Sequence, residues 1–332
     1  MSRKALLVTL LFVMTLIWVL PVGAQDTVTV QYWHTMSDPE TEKLEDLIAV
    51  FEEANPGVEI EATRYAWGDF KDALLTSLAG GEAPDTARMD IIWVPQFAEL
   101  GALEAMDELY EDFDALAEGF FEGPLSTVYW DGHYWGFPLN TNTQVLLYNA
   151  EQFEAAELDV PTTAAEFAEA ACALTEGMER YGFAMGGTYF WAPAPLFYAM
   201  GGTITDADVT TADGYVNSEE SVAAFQMMLD LNNEGCLSPN LMGGGIGTAE
   251  GHATGLYSMI IDGPWMVSIY AGDHPDFEVN FALVPGTEDY TSSVVGGEDL
   301  VLFAGAENQE TALLWVDFLI GEEDSIGFKG FR

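Results

Sequence analysis

The pattern of hydrophobic and polar positions alternates between strand and helix periods along the chain. Thr27–Trp33 alternates apolar with polar residues, as a half-buried strand does, whereas Leu44, Leu47 and Phe51 recur at helical spacing. Strand-like and helix-like segments continue to follow one another over residues 58–93. This order is typical of an α/β domain whose strands are largely parallel. The pattern therefore predicts an α/β lobe in the first part of the chain.

The most informative stretch of the later chain joins a strand to the start of a helix. Tyr257–Ile261 is a short apolar run that ends at Asp262–Gly263, as expected of a strand buried on both faces. Pro264 suits the first position of a helix, and Trp265 follows it. Ligands of open α/β sheets bind beyond the carboxyl ends of strands. The indole of Trp265 is therefore either a ligand platform or a core residue, and the spacing leaves both interpretations open.

In the second part of the chain, one irregular apolar segment lies among segments with regular strand or helix periods. Those segments predict strands at residues 145–148, 181–185, 277–284 and 300–303 and helices at residues 163–174, 218–234 and 309–319. Between them, Pro193 and Pro195 prevent an ordinary helix over Tyr189–Met200. This segment carries Trp191 beside Tyr189. Aromatic side chains on an irregular segment favour the lining of a cleft over a core.

The N-terminus carries an export signal ahead of a chain long enough for two domains. A chain of 332 residues can bury two cores. Arg3 and Lys4 precede the apolar run Ala5–Leu20, and the small residues Val22–Ala24 end the segment. This arrangement predicts a signal peptide at residues 1–24 that is cleaved after Ala24, because a membrane span would need about 20 apolar residues and stop-transfer flanks. We expect a soluble, secreted protein in the periplasm or outside the cell.

The charge balance excludes two classes of partner. The chain has 9 Lys and Arg residues against 55 Asp and Glu residues, a formal net charge of −46. Such an excess of carboxylates repels the phosphates of nucleic acids and the surface of anionic membranes. We therefore expect neither nucleic acid nor a membrane surface as a binding partner.

Cysteine and histidine are too sparse to indicate a metal site. The four histidines stand far apart in the sequence: His34, His133, His252 and His274. No Cys/His cluster has the spacing of metal ligands, so we expect no metal and no cofactor. Cys172 and Cys236 are able to pair in an oxidising compartment, but buried free cysteine is equally common as a small apolar residue. The sequence leaves a disulfide and two free thiols open.

Aromatic side chains recur at positions where a ligand could bind, whereas signatures of catalysis do not. No Gly-x-Ser-x-Gly elbow, Gly-rich phosphate loop or zinc-protease signature occurs, and no carboxylate pair is marked as catalytic. Tryptophan and tyrosine instead recur at predicted loops and strand ends, namely Trp33, Trp67, Trp93, Trp135, Tyr189, Trp191 and Trp265. A sugar ring offers an apolar face for stacking and hydroxyl groups for Asp, Glu and Asn. This is the composition of a sugar site, although a core must account for several of these rings.

An ordered set of short motifs resembles a known family. The motifs are Gly81–Asp85, Leu100–Leu103, Gly136–Pro138, Leu147–Asn149, Phe197–Gly202, Gly255–Trp265, Val284–Gly286 and Gly296–Gly297. In this order they resemble the extracellular solute-binding proteins of carbohydrate ABC importers, the maltose-binding-protein-like family. The resemblance implies a two-lobed α/β fold of the type II periplasmic-binding-protein-like class, each lobe a largely parallel sheet flanked by helices. Lobe 1 is expected at residues 25–140 and 296–332, and lobe 2 at residues 141–295, with a hinge between the lobes.

The resemblance also implies a set of ligand-binding residues and no catalytic ones. Trp265 matches the family's sugar platform, Asn142 a polar contact at the crossover, and Trp191 an aromatic of the second lobe with Tyr189 beside it. Other matched positions are less specific: Asp90 and Trp93 in the first-lobe contact loop, His34 and Ser37 after the first strand, and Glu298 after the double glycine. Around the main motif this chain has His252, Leu256 and Ser258 where relatives often differ, so its ligand need not be theirs.

The implied function is binding without transformation. We expect a monomer that binds a sugar or oligosaccharide with high affinity, closes on it by the hinge, and delivers it to the membrane permease subunits of an ABC importer. A secreted carbohydrate-active enzyme and a binder of another solute, such as a polyamine or a metal ion, remain alternatives. Relatives continue past the helix that ends near Leu319, so we also expect a truncated chain, a poorly packed end at Gly327–Arg332 and an uncovered apolar face near residues 145–200.

Overall fold

The computed structural model describes residues 27–187 and 189–321. The predicted signal peptide and the segment Gly327–Arg332 lie outside the described residues. The described chain divides into two compact units: residues up to 86 together with those from 305 form unit 1, and residues 87–304 form unit 2. The lobe boundaries expected near residues 140 and 296 stay a prediction. None of the helices within the described ranges has the length and apolar character needed to cross a membrane.

Strands and helices alternate along the described chain. The strands are β1 Val28–His34, β2 Val58–Arg64, β3 Thr86–Asp90, β4 Tyr129–Trp130, β5 His133–Tyr134, β6 Phe137–Asn142, β7 Val145–Tyr148, β8 Tyr181–Ala184, β9 Tyr257–Asp262, β10 Asn280–Ala282 and β11 Gly296–Leu302. The helices are α1 Asp38–Ala54, α2 Trp67–Gly80, α3 Val94–Glu99, α4 Met106–Leu109, α5 Phe113–Ala117, α6 Glu122–Ser126, α7 Ala150–Ala155, α8 Ala164–Ala173, α9 Ala194–Ala199, α10 Glu219–Asn233, α11 Thr248–Ala253, α12 Trp265–Asp273 and α13 Gln309–Ile320. A 3-10 helix covers Pro239–Met242.

Unit 1 is built on a parallel strand pair. β1 pairs with β2 from Val28 opposite Val58 to His34 opposite Arg64. The helical spacing of α1 buries one apolar face of that helix. The Trp315 indole of α13 packs edge-on against the rings of Tyr32 and Phe51, with ring centroids 5.8 and 5.1 Å apart. The helical spacing that includes Phe51 thus faces the core of this unit, as the sequence predicted.

Unit 2 contains a four-stranded sheet that is mixed in direction. Its order is β10-β7-β9-β8, and β8 and β9 are parallel. β7 runs antiparallel to both β9 and β10, and β6 runs antiparallel to β11. The expectation of largely parallel sheets is therefore wrong for these strands. The reason is physical, since a strand buried on both faces has the same apolar pattern in either direction.

In unit 2, helices pack against the four-stranded sheet and bury apolar side chains between them. Phe167 of α8 packs edge-on against Phe183 of β8, with ring centroids 4.9 Å apart, in a cluster of buried apolar side chains. A disulfide joins Cys172 of α8 to Cys236 after α10, with 4.8 Å between the two Cα atoms. Of the two alternatives left open by the sequence, the structure has the disulfide.

The apolar face expected to be uncovered near residues 145–200 is mostly covered. Leu146, Phe167 and Leu196 are fully buried there. Other exposed apolar side chains of unit 2 lie on α10 and around β10, among them Val222, Phe225, Leu229, Phe281 and Leu283. The expectation was wrong because α10 packs against α8 and α9 of this segment.

Candidate functional site

Strand direction gathers the strongest candidates at one edge of the four-stranded sheet. β8 and β9 are parallel, with Ala184 opposite Ile260, so their carboxyl ends lie at the same edge. β7 is antiparallel to β9 and begins there, with Val145 opposite Asp262. The segment after β8 carries Tyr189 and Trp191, the segment after β9 carries Trp265, and Asn142 comes just before β7. The fold therefore brings four predicted residues to one edge, which is where α/β sheets bind ligands.

Trp265 opens α12 with its indole partly exposed. The side chain is 38% exposed, which favours a platform over a core role. The six-membered ring of the indole lies over Gly263, because a Cβ atom at that glycine would come 2.2 Å from its Cη2 atom. A side chain at position 263 would therefore displace the ring from this place.

Asp262 is a partly buried carboxylate at this edge. It accepts the backbone N–H of Gly263 at 2.9 Å. Burial raises the pKa of Asp262, although its polar neighbours Gly263, Trp265 and Thr248 favour the charged form. The sequence analysis named the Asp262 position only as the end of a strand and missed its role.

Tyr189 lies close enough to Asp262 for the carboxylate charge to change the pKa of its phenol. Burial raises the pKa of the Tyr189 phenol, and the negative charge of Asp262 raises it further. The ring is 57% exposed and lies against Gly187, where a Cβ atom would come 2.7 Å from the ring atom Cε1. An exposed phenol beside a carboxylate can stack on a ligand ring and hydrogen-bond to it.

Trp191 and Asn142 meet over Gly296, the first residue of β11. A Cβ atom at Gly296 would come 2.4 Å from both the Asn142 Oδ1 atom and the Trp191 Cη2 atom. The side chain of Gln144 donates a hydrogen bond to the carbonyl of Trp191 at 2.8 Å. Asn142 Oδ1 is buried and has no hydrogen-bond partner among the described residues. A buried acceptor without a donor costs about 1–3 kcal/mol, which a ligand hydroxyl could recover.

Glu298 lies in a buried ion pair. Its carboxylate accepts hydrogen bonds from the Arg88 guanidinium at 2.7 Å and from the Asn140 amide at 2.6 Å, and Arg88 also donates to Asn140 Oδ1 at 3.0 Å. The adjacent carboxyl of Asp299 is 1% exposed, and burial raises its pKa well above the ordinary range. Glu298 therefore ties β3, β6 and β11 together. The structure favours this role for it over ligand binding.

The remaining candidates occupy structural positions. Trp93 is 5% exposed and His34 is 1% exposed, so both side chains lie in cores. His34 Nδ1 accepts the backbone N–H of Met36 at 3.2 Å. Ser37 forms the capping box of α1 with Glu40, and Asp90 accepts the backbone N–H of Ile92 at 3.0 Å. These four residues stay predictions for the ligand site, and the fold gives each a local structural function.

One group of possible metal ligands in the described residues could not be predicted from the spacing of residues in the sequence. Cys172, Glu234 and Cys236 have ligand atoms within 4.8 Å of one another. Both sulfur atoms belong to the disulfide, so neither is a thiolate that could bind a metal. The folded chain brings the two cysteines together because α8 and α10 pack side by side.

Comparison with known proteins defines the class. The chain belongs to the bacterial extracellular solute-binding protein family, whose family model matches residues 37–325. The chain is 25% identical over 298 residues to the maltotriose-binding protein of Pyrococcus abyssi, covering 86% of this chain and 60% of that protein. It is 29% identical to a solute-binding protein of an ABC transporter from Thermotoga lettingae, solved with bound α-D-tagatose, with a TM-score of 0.76 over 88% of this chain and 76% of that one.

A third relative extends the same comparison. The cyclic α-maltosyl-1,6-maltose binding protein of Arthrobacter globiformis is 25% identical, with a TM-score of 0.73 over 88% of this chain and 75% of that one. These matches confirm the predicted family and the predicted two-lobed α/β fold class. The family is extracellular, so the protein acts in the periplasm or outside the cell.

Proposed function

We propose that this protein binds a sugar or oligosaccharide outside the cytoplasm and delivers it to the membrane permease subunits of an ABC importer. The family assignment supports a solute-binding role. Relatives whose names include maltotriose, tagatose and a cyclic maltosaccharide support a carbohydrate as the solute. We further propose that the protein is a monomer exported by its signal peptide.

The observation that carries this proposal is the set of side chains at one edge of the four-stranded sheet. Trp265 and Tyr189 expose aromatic rings there. Asp262 and the unpaired Asn142 oxygen supply hydrogen-bond acceptors nearby. Aromatic faces stack on the apolar faces of pyranose rings, and acceptors select their hydroxyl groups. A metal ion would use the acceptors and leave the exposed rings without a function. A polyamine would use both the rings and the acceptors, so the names of the relatives are what favours a sugar over a polyamine.

The proposed binding mode does not require bond cleavage. A glycosidase needs two carboxyl groups at a defined separation, one of them as a general acid. Of the side chains described at this edge, Asp262 is the one that carries a carboxyl group, and it accepts the backbone N–H of Gly263 at 2.9 Å. This arrangement supports a binding protein over a carbohydrate-active enzyme.

The test is calorimetry on the mature chain with a panel of sugars. We expect maltotriose, maltose or tagatose, or another member of the panel, to bind with a dissociation constant in the micromolar range or below. Chromatography of the recovered sugar should find it uncut. Cleavage of the sugar would establish the enzyme alternative, and binding of spermidine or of a divalent cation without any sugar would establish the other one.

A further inference from the structure

The two adjacent glycines at the start of β11 are glycine for different physical reasons. Gly297 has a φ angle of 135°, and a Cβ atom there would come 2.1 Å from the backbone oxygen of Asn140. Gly296 is not among the glycines with a positive φ angle, and a Cβ atom there would meet the side chains of Asn142 and Trp191. The backbone therefore requires glycine at position 297, whereas two candidate ligand residues require it at position 296.

The space left by the missing side chain of Gly296 is filled by these two residues. Asn142 lies directly opposite Gly296 in the antiparallel pair of β6 and β11, and side chains of opposite residues share one face of a sheet. The Asn142 Oδ1 atom and the Trp191 Cη2 atom each lie 2.4 Å from the place that a Cβ atom would take. The amide and the tip of the indole are therefore close neighbours over one backbone position.

The backbone of Trp191 is held by the segment that precedes Gly296. Gln144 is 2% exposed and donates a hydrogen bond from its Nε2 atom to the carbonyl oxygen of Trp191 at 2.8 Å. The hydroxyl of Ser293 donates to the carbonyl oxygen of Gln144 at 2.6 Å. Buried hydrogen bonds of this kind fix the groups that they join. Residues 293–296 thus restrain both the backbone and the ring of Trp191, while its side chain stays partly exposed.

We propose that Gly296 is a positioning residue, whose missing side chain lets the Trp191 indole and the Asn142 amide lie side by side as one preorganised surface for a sugar. This proposal rests on the proposed function of the site. An aromatic face with a polar group at its edge matches a pyranose ring, which has an apolar face and hydroxyl groups around it. A methyl group at position 296 would displace the indole, and the lost stacking weakens binding by roughly 2- to 13-fold.

Calorimetry on a set of variants separates this role from a purely structural one. Gly296→Ala should weaken binding of the best sugar of the panel by roughly 2- to 13-fold. It should have no further effect when Trp191→Ala and Asn142→Ala are already present, because the added methyl group then meets neither side chain. An equal loss in both backgrounds would overturn the proposal. The matched control is Gly272→Ala, which should keep the wild-type affinity because a Cβ atom there meets no heavy atom within 4 Å.

The position of the indole can be measured without any sugar. In protein with 15N-labelled tryptophan, the resonance lost in Trp191→Phe identifies the indole N–H of Trp191. We expect this resonance to shift in Gly296→Ala, because the ring must leave its place, and to stay unchanged in Gly272→Ala. An unchanged Trp191 resonance in Gly296→Ala would overturn the positioning role even if sugar binds.

The proposed function and the role of Gly296 fail in different ways. If no sugar of the panel binds the wild type, the proposed function fails, and the Trp191 resonance still decides whether Gly296 positions the ring. A lower melting temperature of Gly296→Ala with unchanged affinity in the folded fraction would make Gly296 a structural residue and overturn the proposal. Should Gly296→Ala not fold, adding Trp191→Ala and Asn142→Ala removes both clashes. Recovery of the fold would then support the proposal, and continued failure would overturn it.

Discussion

Removal of the Trp265 ring should weaken sugar binding much more than it weakens the fold. The indole is 38% exposed, so about 95 Å² of a side chain of about 250 Å² is open to solvent. A sugar ring covers one face, about half of this area, which contributes about 1.2 kcal/mol at 25 cal/mol per Å². Stacking adds about 0.5–1.5 kcal/mol. Trp265→Ala should therefore cost about 2 kcal/mol of binding free energy, or about 30-fold in affinity.

Calorimetry with the best sugar of the panel measures this loss, and thermal melting measures the cost to the fold. Trp130→Ala is the matched control, because Trp130 is 41% exposed but lies in β4, which pairs with β5 in a separate two-stranded sheet. We expect Trp130→Ala to leave the affinity unchanged. A collapse of the melting temperature in Trp265→Ala, with unchanged affinity in the folded fraction, would refute the platform role and make Trp265 a core residue.

Three further predictions concern the fold around the site. Reduction of Cys172–Cys236, which closes a loop across 64 positions, should lower the free energy of unfolding by about 4 kcal/mol, and alkylation of unreduced protein should label no thiol. Burial lowers the pKa of His252 to about 4, so the unfolded chain binds a proton at this histidine more readily than the folded chain does. The free energy of unfolding should therefore fall by about 3 kcal/mol as the pH drops from 6.5 to 4. Denaturation measured over this pH range should show a smaller fall in His252→Gln. Arg88→Met should cost about 3–5 kcal/mol because it removes the guanidinium that balances the charge of the buried Glu298 carboxylate. The second change Glu298→Gln should restore most of this loss, and additive losses would contradict the pairing.

Local signals in the sequence predicted the helices well. A helix was predicted to begin at Thr163, and Thr163 and Glu166 form the capping box that starts α8. Helical spacing also placed Leu44 on the buried face of α1. These features depend on residues three or four positions apart, so the chain needs no distant partner to reveal them.

Ligand-site predictions succeeded only where local sequence and fold agree. Trp265 emerges beside the carboxyl end of its strand, as its Gly-Pro context indicated. Trp93 looked similar in sequence but is 5% exposed, because burial depends on what packs over a residue. Asp262 went unrecognised because its burial and the effect of its charge on the Tyr189 phenol arise only after distant segments have packed.

The sequence by itself determined the types of the elements, the family resemblance and the aromatic composition of a sugar site. Only the tertiary structure decided the antiparallel direction of β7, the bond between Cys172 and Cys236, and the pairing of Arg88 with Glu298 across 210 positions. The physical reason is common to all three. Periodicity and capping are local properties of the backbone, whereas strand direction, disulfides and buried ion pairs depend on which distant segments the packed core brings together.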